Sequence, residues 1–258
     1  MMRDMITVVC CLWMSAVLGC GGKASSPEPT EPQAQNTEQV PSKEPANQAA
    51  NEPVAEGEPT NPKAENPIVD VSRLDPNKAT AKAPLKYTVK LETTKGDVLI
   101  DVTRAWAPLG ADRFYNLVTQ GYFDNIAFFR VIGGFMAQTG LHGDPGVNRV
   151  WREARIEDDP VKQTNTRGMV SFATAGPGTR TTQFFINFSN NSRLDAMGFS
   201  PFGKVRDMKP VDALYAGYGE GAPGGNGPNQ ARIQLEGNTY LKKEFPQLDY
   251  IKHASIIK

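Results

Sequence analysis

Cysteine and histidine are scarce in this chain of 258 residues, which holds three cysteines and two histidines, and neither sign of charge is in surplus, 28 Lys and Arg matching 28 Asp and Glu. His142 and His253 have no cysteine or suitably spaced histidine beside them, so the pattern of a zinc site is missing. A formal net charge of zero gives no overall basic field to attract nucleic acid. Arg149, Arg152 and Arg155 are spaced like a solvated face, and Glu157-Asp158-Asp159-Pro160 reads as an acidic surface turn rather than a cation site. The glycine-rich stretch GYGEGAPGGNGPNQ, Gly217 to Gln230, lacks the Gly-Lys-Ser/Thr ending of a phosphate cradle and reads as a loop. Hydrophobic residues make up 39%, low for a chain folded throughout, and no aromatic residue occurs from 21 to 84.

The N-terminus, MMRDMITVVCCLWMSAVLGCGG, has an early arginine, an apolar run from Met5 to Leu18, and Gly19 before Cys20. That run is shorter than the ~20 residues needed to cross a bilayer and has the form of a signal peptide over residues 1–19. Its end, Val17-Leu18-Gly19-Cys20, resembles the lipobox of bacterial lipoproteins, where the cysteine is lipidated and becomes the first residue of the mature chain. Removal of Cys10 and Cys11 leaves Cys20 as the only thiol, so no internal disulfide can form. The expectation is a palmitate-bearing protein of the bacterial cell envelope, held to a membrane at Cys20. Gly21 rather than Asp leans toward the outer membrane, facing the periplasm in a Gram-negative cell. An ordinary signal peptide or a buried start stands as the alternative.

Residues 20–85 are rich in Pro, Glu, Gln, Asn and Ala, with few aliphatic side chains. Such a segment buries too little apolar surface to offset the entropy of ordering it, and is expected to be an extended tether. Order is expected from Lys86, giving one domain over 86–258. Tyr87, Val89 and Leu91 alternate with polar residues, as do Val98, Ile100 and Val102, and Thr94-Lys95-Gly96-Asp97 joins them as a β-hairpin. Phe114, Leu117 and Val118 recur at helical spacing after Pro108, until Gly121. Short strands are predicted at Phe128–Ile132, Phe135–Gln138, Met169–Ala173, Phe184–Phe188, Pro201–Val205 and Tyr250–Ile257, with a second helix at Val211–Tyr215. Short strands split by Gly and Pro, with few helices, point to a mainly β, closed or nearly closed barrel.

Two stretches carry the chemistry: FFRVIGGFMAQTG, Phe128 to Gly140, and SFATAGPGTRTTQFFINFSNNSRLDAMGFSPFGKV, Ser171 to Val205. The first places one arginine, always charged and bearing five N–H donors, in an otherwise apolar run. Together with the hairpin LETTKGDVLIDV and the helix end LVTQGYFDN, they resemble the cyclophilin family of peptidyl-prolyl cis-trans isomerases. The resemblance implies a closed eight-stranded antiparallel barrel capped by two α-helices. It implies catalysis by Arg130 and substrate binding by Phe135, Met136, Gln138, Ala173, Thr174, Ala175, Gln183, Phe185 and Leu194. The implied partners are proline-containing polypeptide clients, bound by a monomer that needs no cofactor or metal and does not bind nucleic acid.

Several positions depart from the family pattern. Phe129 stands where many members have histidine, Gly133 where proline is common, and Thr174 where asparagine is frequent. Arg193 replaces a tryptophan that helps some members bind cyclosporin, so weak cyclosporin affinity is expected, and the pocket histidine expected after Leu194 is missing.

Rotation about an Xaa-Pro bond breaks amide resonance against a barrier of ~18–20 kcal/mol. A guanidinium N–H directed at the prolyl nitrogen withdraws its lone pair and lowers that barrier, most effectively in a dry pocket. Two other readings stay open from sequence: a proline-binding module with little catalysis, and a structural envelope lipoprotein.

Overall fold

The computed structural model describes residues 74–257. The expected signal peptide, Cys20 and the tether as far as residue 73 lie outside them. The fold starts with the predicted hairpin, β1 (Lys86–Thr93) and β2 (Gly96–Thr103). In register, Leu91 faces Val98, Val89 faces Ile100 and Tyr87 faces Val102, and all six are buried. The period of two thus delivers one apolar face to the core.

Further strands are β3 (Ile126–Ala127), β4 (Arg130–Ile132), β5 (Met136–Thr139), β6 (Met169–Phe172), β7 (Phe184–Asn187), β8 (Pro201–Val205) and β9 (Tyr250–Ile257). They form one nine-stranded sheet in the order β3-β9-β1-β2-β8-β6-β7-β5-β4, antiparallel at every junction whose pairing is resolved. This corrects the expected closed barrel of eight strands. The strand predicted at Phe128–Ile132 is shorter than expected: Arg130–Ile132 forms β4, which pairs with β5 at one sheet end, while β3, just before the predicted run, pairs with β9 at the other. Phe128 and Phe129 carry the chain between the two ends, so the curled sheet is joined there by backbone and not by a ladder.

Two helical caps were expected, and the described residues contain four α-helices and two short 3-10 turns. Helix α1 (Pro108–Thr119) begins at proline, as its sequence suggests. Its N-cap, Ala107, makes no side-chain bond; instead the Asp159 carboxylate accepts from the N–H groups of Leu109 and Gly110 at 2.9 and 2.8 Å. Phe114 of α1 meets Phe123, Phe184 and Phe202 with ring centroids 4.9–5.5 Å apart, at the centre of the main core. Helix α2 (Pro145–Trp151) was not predicted, and the predicted helix at Val211 is the single turn α3 (Lys209–Asp212).

Helix α4 (Gln230–Glu244) was also unforeseen. Asn229 caps it by accepting from the N–H groups of Ala231 and Arg232. Ile233, Tyr240 and Leu241 are buried with Phe129, Leu141, Phe245 and Leu248 in a second cluster. The helix is broken at Gly237 (φ 59°, ψ −140°), where Asn238 N–H reaches the Gly143 carbonyl at 2.9 Å.

The fold also starts before the expected Lys86. Leu74 is buried, and its carbonyl accepts from Trp151 Nε1 at 3.0 Å. Asn116 of α1 exchanges two hydrogen bonds with the backbone of Ala81, and Asp112 accepts from Ala83 N–H. Polar residues of α1 hold this stretch in place together with the burial of Leu74 and Ala83 in the main core. Among the described residues no helix is long and apolar enough to cross a membrane.

Candidate active site

Strands β5, β6 and β7 are buried on both faces, and alternation divides their side chains between two environments. Ala137, Val170, Phe184 and Ile186 enter the main core. Met136 and Phe185 point the other way and form a separate apolar cluster with Leu194, flanked by Ile132, Phe135, Ala173 and Phe199.

Register then sets the site's order. Arg130 lies opposite Gln138, Gln138 opposite Phe185, and Phe185 opposite Ser171. Paired residues in a sheet share a face, so Arg130, Gln138 and Phe185 form one row across three strands. Arg130 Nη1 donates to Gln138 Oε1 at 2.9 Å, and Gln138 Nε2 donates to Gln183 Oε1 at 2.9 Å. The same Nη1 lies 3.8 Å from the Met136 sulfur, and the guanidinium carbon is 5.9 Å from the centre of the Phe135 ring. Arg130, Gln138 and Gln183, grouped from sequence by the resemblance, are thereby joined in one hydrogen-bond chain from a cation to two amides.

The rest of the wall is held from behind. The Phe135 carbonyl accepts from Phe188 N–H at 2.9 Å and from Asn191 Nδ2 at 2.8 Å, while Ser189 Oγ donates to the Gly134 carbonyl. Leu194 sits in a 3-10 turn, Ser192–Met197, whose Asp195 carboxylate accepts from Asn165 N–H and Asn165 Nδ2. Arg193 in that turn stacks its guanidinium 5.0 Å from the Phe135 ring centre, on the residue that Arg130 also approaches. Phe199, which the sequence did not single out, meets Phe185 edge-on at 5.5 Å. Its place after the turn of Leu194 was the available signal.

Ala173, Thr174 and Ala175 follow β6 directly, and Ala173 N–H bonds to the Gln183 carbonyl at 2.9 Å. The Thr174 hydroxyl is taken up within its own loop, by Gly176 and Thr179. A cleft of about 330 Å³ opens beyond this point, lined in part by Ala175, Thr179, Gln183, Tyr122 and Trp151. Ala175 and Gln183 are shared with the site, whereas Arg130, Met136, Phe185 and Leu194 do not border that cleft. Eight of the ten expected side chains thus lie together, in the apolar cluster or in the Arg130–Gln138–Gln183 hydrogen-bond chain, whereas Ala175 lines the neighbouring cleft and the Thr174 hydroxyl is bonded within its own loop.

Phe129, in the place of a frequent family histidine, is buried beneath α4 and takes no part in the apolar wall. The sequence reading missed Glu220. This residue of the glycine-rich loop grips Arg130 in a two-point ion pair, Nε to Oε1 and Nη2 to Oε2, both 2.6 Å. Partial burial works to raise its carboxyl pKa, but hydrogen bonds and charge from Arg130, with the Gly221 N–H, outweigh this and hold it below the usual glutamate range. The signal was a lone acid among glycines.

Among the described residues no cluster of His, Cys, Asp and Glu is placed to hold a metal ion. Residues 88–230 match the family model for cyclophilin type peptidyl-prolyl cis-trans isomerases. A peptidyl-prolyl cis-trans isomerase-like 3 of Rhizopus delemar is 39% identical over 131 residues, spanning 46% of this chain and 75% of the relative. Its counterpart from Homo sapiens is 38% identical over 135 residues, spanning 49% and 81%. A crystal structure of a Cryptosporidium parvum cyclophilin type isomerase has the same fold, with a TM-score of 0.51 at 23% identity over 67% of this chain and 98% of that one. These relatives are eukaryotic, and their names carry nothing about a lipid anchor. With the matched region running from the hairpin through the whole row of Arg130, Gln138 and Phe185 into the glycine-rich loop, the chain belongs to the cyclophilin-type peptidyl-prolyl cis-trans isomerase family.

Proposed function

We propose that Arg130 is the catalytic residue, acting on Xaa-Pro bonds of polypeptide clients. Met136, Phe185, Leu194 and Phe135 hold the pyrrolidine ring against the apolar floor, and exclude water from the bond being rotated. Gln138, Gln183 and the chain at Ala173 to Ala175 hold the flanking peptide, so one side of the bond turns while the other is fixed. As the prolyl nitrogen becomes pyramidal, an Arg130 N–H donates to it and stabilises the twisted amide. No covalent bond is made or broken. Client folding steps limited by proline isomerisation, which take roughly 10 to 100 s unaided, are the reactions accelerated.

One observation carries this reading: a guanidinium bonded at 2.9 Å to Gln138 stands in the same cross-strand row as the apolar floor at Phe185. Exchange between cis and trans signals of an Xaa-Pro peptide, followed by NMR with the full-length protein, tests it. Arg130→Ala is expected to lower kcat/KM by about 10²-fold or more, as loss of a preorganised donor does. An unchanged rate rejects the assignment.

The cellular setting is a proposal of a separate kind. A lipid on Cys20, a tether rich in proline and glutamate, and a monomeric isomerase domain together describe an envelope protein that reaches clients near a membrane. The lipobox-like Val17-Leu18-Gly19-Cys20 supports this. Mass spectrometry of the mature N-terminus checks it: a chain starting at an acylated Cys20 is expected, and an unmodified Cys20 refutes the anchor.

A further inference from the structure

The glycine-rich loop after α3 is built to deliver one side chain. Gly219 forms an antiparallel bridge with Val131 of β4, the end strand that carries Arg130. Tyr218 is wedged between Tyr215 and Phe245, at ring-centre distances of 5.1 and 5.0 Å. The Glu220 carbonyl accepts from Gly227 N–H at 2.8 Å, and Gly221 N–H donates to Glu220 Oε1 at 2.9 Å. A Cβ on Gly225 or Gly227 would lie 2.4 or 2.8 Å from the Glu220 carbonyl oxygen, so glycine is what lets the returning chain press against this residue. Backbone and carboxylate of Glu220 are both fixed.

The pairing leaves the guanidinium usable. Glu220 takes the Nε edge and one N–H of Nη2, and Gln138 takes one N–H of Nη1. Three of the five donors therefore meet oxygen, and one N–H on each terminal nitrogen faces no strong acceptor, the Met136 thioether being a weak one. Without Glu220, a long and flexible side chain would rest on the single bond to Gln138. With it, the planar group is held at two edges and its orientation is determined.

We infer that Glu220 is a positioning residue that aims Arg130 at the prolyl nitrogen, an inference that rests on Arg130 being catalytic. Among the described residues it is the one acidic partner of Arg130. The glycine-rich loop is then part of the site rather than a neutral insertion.

The test is a double-variant cycle in the full-length protein, with kcat and KM measured on an Xaa-Pro peptide by exchange NMR. Glu220→Ala is expected to lower kcat about tenfold with KM changed less than about twofold, since orientation rather than peptide contact is lost. Glu220→Gln, which keeps the volume and one acceptor, is expected to fall between that and wild type. In an Arg130→Ala background, Glu220→Ala is expected to change nothing further, because the two residues act as one unit. A wild-type or faster rate for both Glu220 variants overturns the inference, and a faster one means that the carboxylate competes with substrate. Additive effects in the cycle, or losses that follow only the unfolded fraction in thermal melts of both variants, overturn it as well. A wild-type rate for Arg130→Ala fails at the earlier step and removes the catalytic assignment itself.

Discussion

Arg130 faces Gln138 across the β4–β5 ladder, and the two side chains are bonded at 2.9 Å on the side of the sheet away from the main core. Gln138 in turn reaches Gln183, so its amide uses both ends. A buried amide of this kind orders the groups on either side of it.

Gln138→Ala is accordingly expected to lower kcat/KM about tenfold and stability by about 1–2 kcal/mol. It removes a partner from both Arg130 and Gln183 in a nearly closed setting. Kinetics and urea unfolding of the same preparation check the two effects together.

The segment before Lys86 predicts a boundary effect. A chain starting at residue 74 is expected to be more stable than one starting at Lys86 by more than ~1 kcal/mol. The longer form keeps Leu74 buried and keeps the bonds to Trp151, Asn116 and Asp112. Equal urea midpoints for the two would show that residues 74–85 contribute nothing.

Asp112 links that segment to pH. Partial burial acts to raise its pKa, but bonds from Arg104 Nε and Nη2, both 2.7 Å, and from Ala83 N–H prevail and hold it below the ordinary aspartate range. The folded value being the lower one, the stabilisation is complete above the unfolded value and is lost as pH falls through the folded value. Urea midpoints of the wild type should therefore decline in acid more steeply than those of Asp112→Asn, which starts lower and lacks that part of the pH dependence.

Two glycines predict opposite outcomes. A Cβ at Gly237 would lie 2.0 Å from the Gly143 carbonyl oxygen, at a residue with φ +59°, so Gly237→Ala is expected to cost about 2–4 kcal/mol and loosen α4. Gly133 has open space around its Cβ direction, and Gly133→Ala is expected to stay within ~0.5 kcal/mol of wild type. Thermal melts of the pair decide this.

The two kinds of element differed in how visible they were. The β1–β2 hairpin, α1, and the strands from Met169, Phe184, Pro201 and Tyr250 were legible because each carries its own period or ends on its own Gly or Pro. Helix α4 was overlooked although Ile233, Gly237, Tyr240 and Leu241 recur at helical spacing after the cap Asn229, since an internal glycine and a preceding glycine-rich loop both argue against a helix. That Phe128 and Phe129 fall outside the strand predicted at Phe128–Ile132 could not be read, because the two aromatic residues serve different clusters, Phe128 the main core and Phe129 the one under α4.

Residue order by itself carried the resemblance to the family and with it the candidates Arg130 and the apolar floor, because one cation in an apolar run and a matching second stretch are local facts. Tertiary structure decided what surrounds that cation. Glu220 lies ninety positions further along the chain. It becomes the partner of Arg130 only because Gly219 bridges to Val131 and close-packed glycines hold the carboxylate there, a long-range placement that no local period in the sequence encodes.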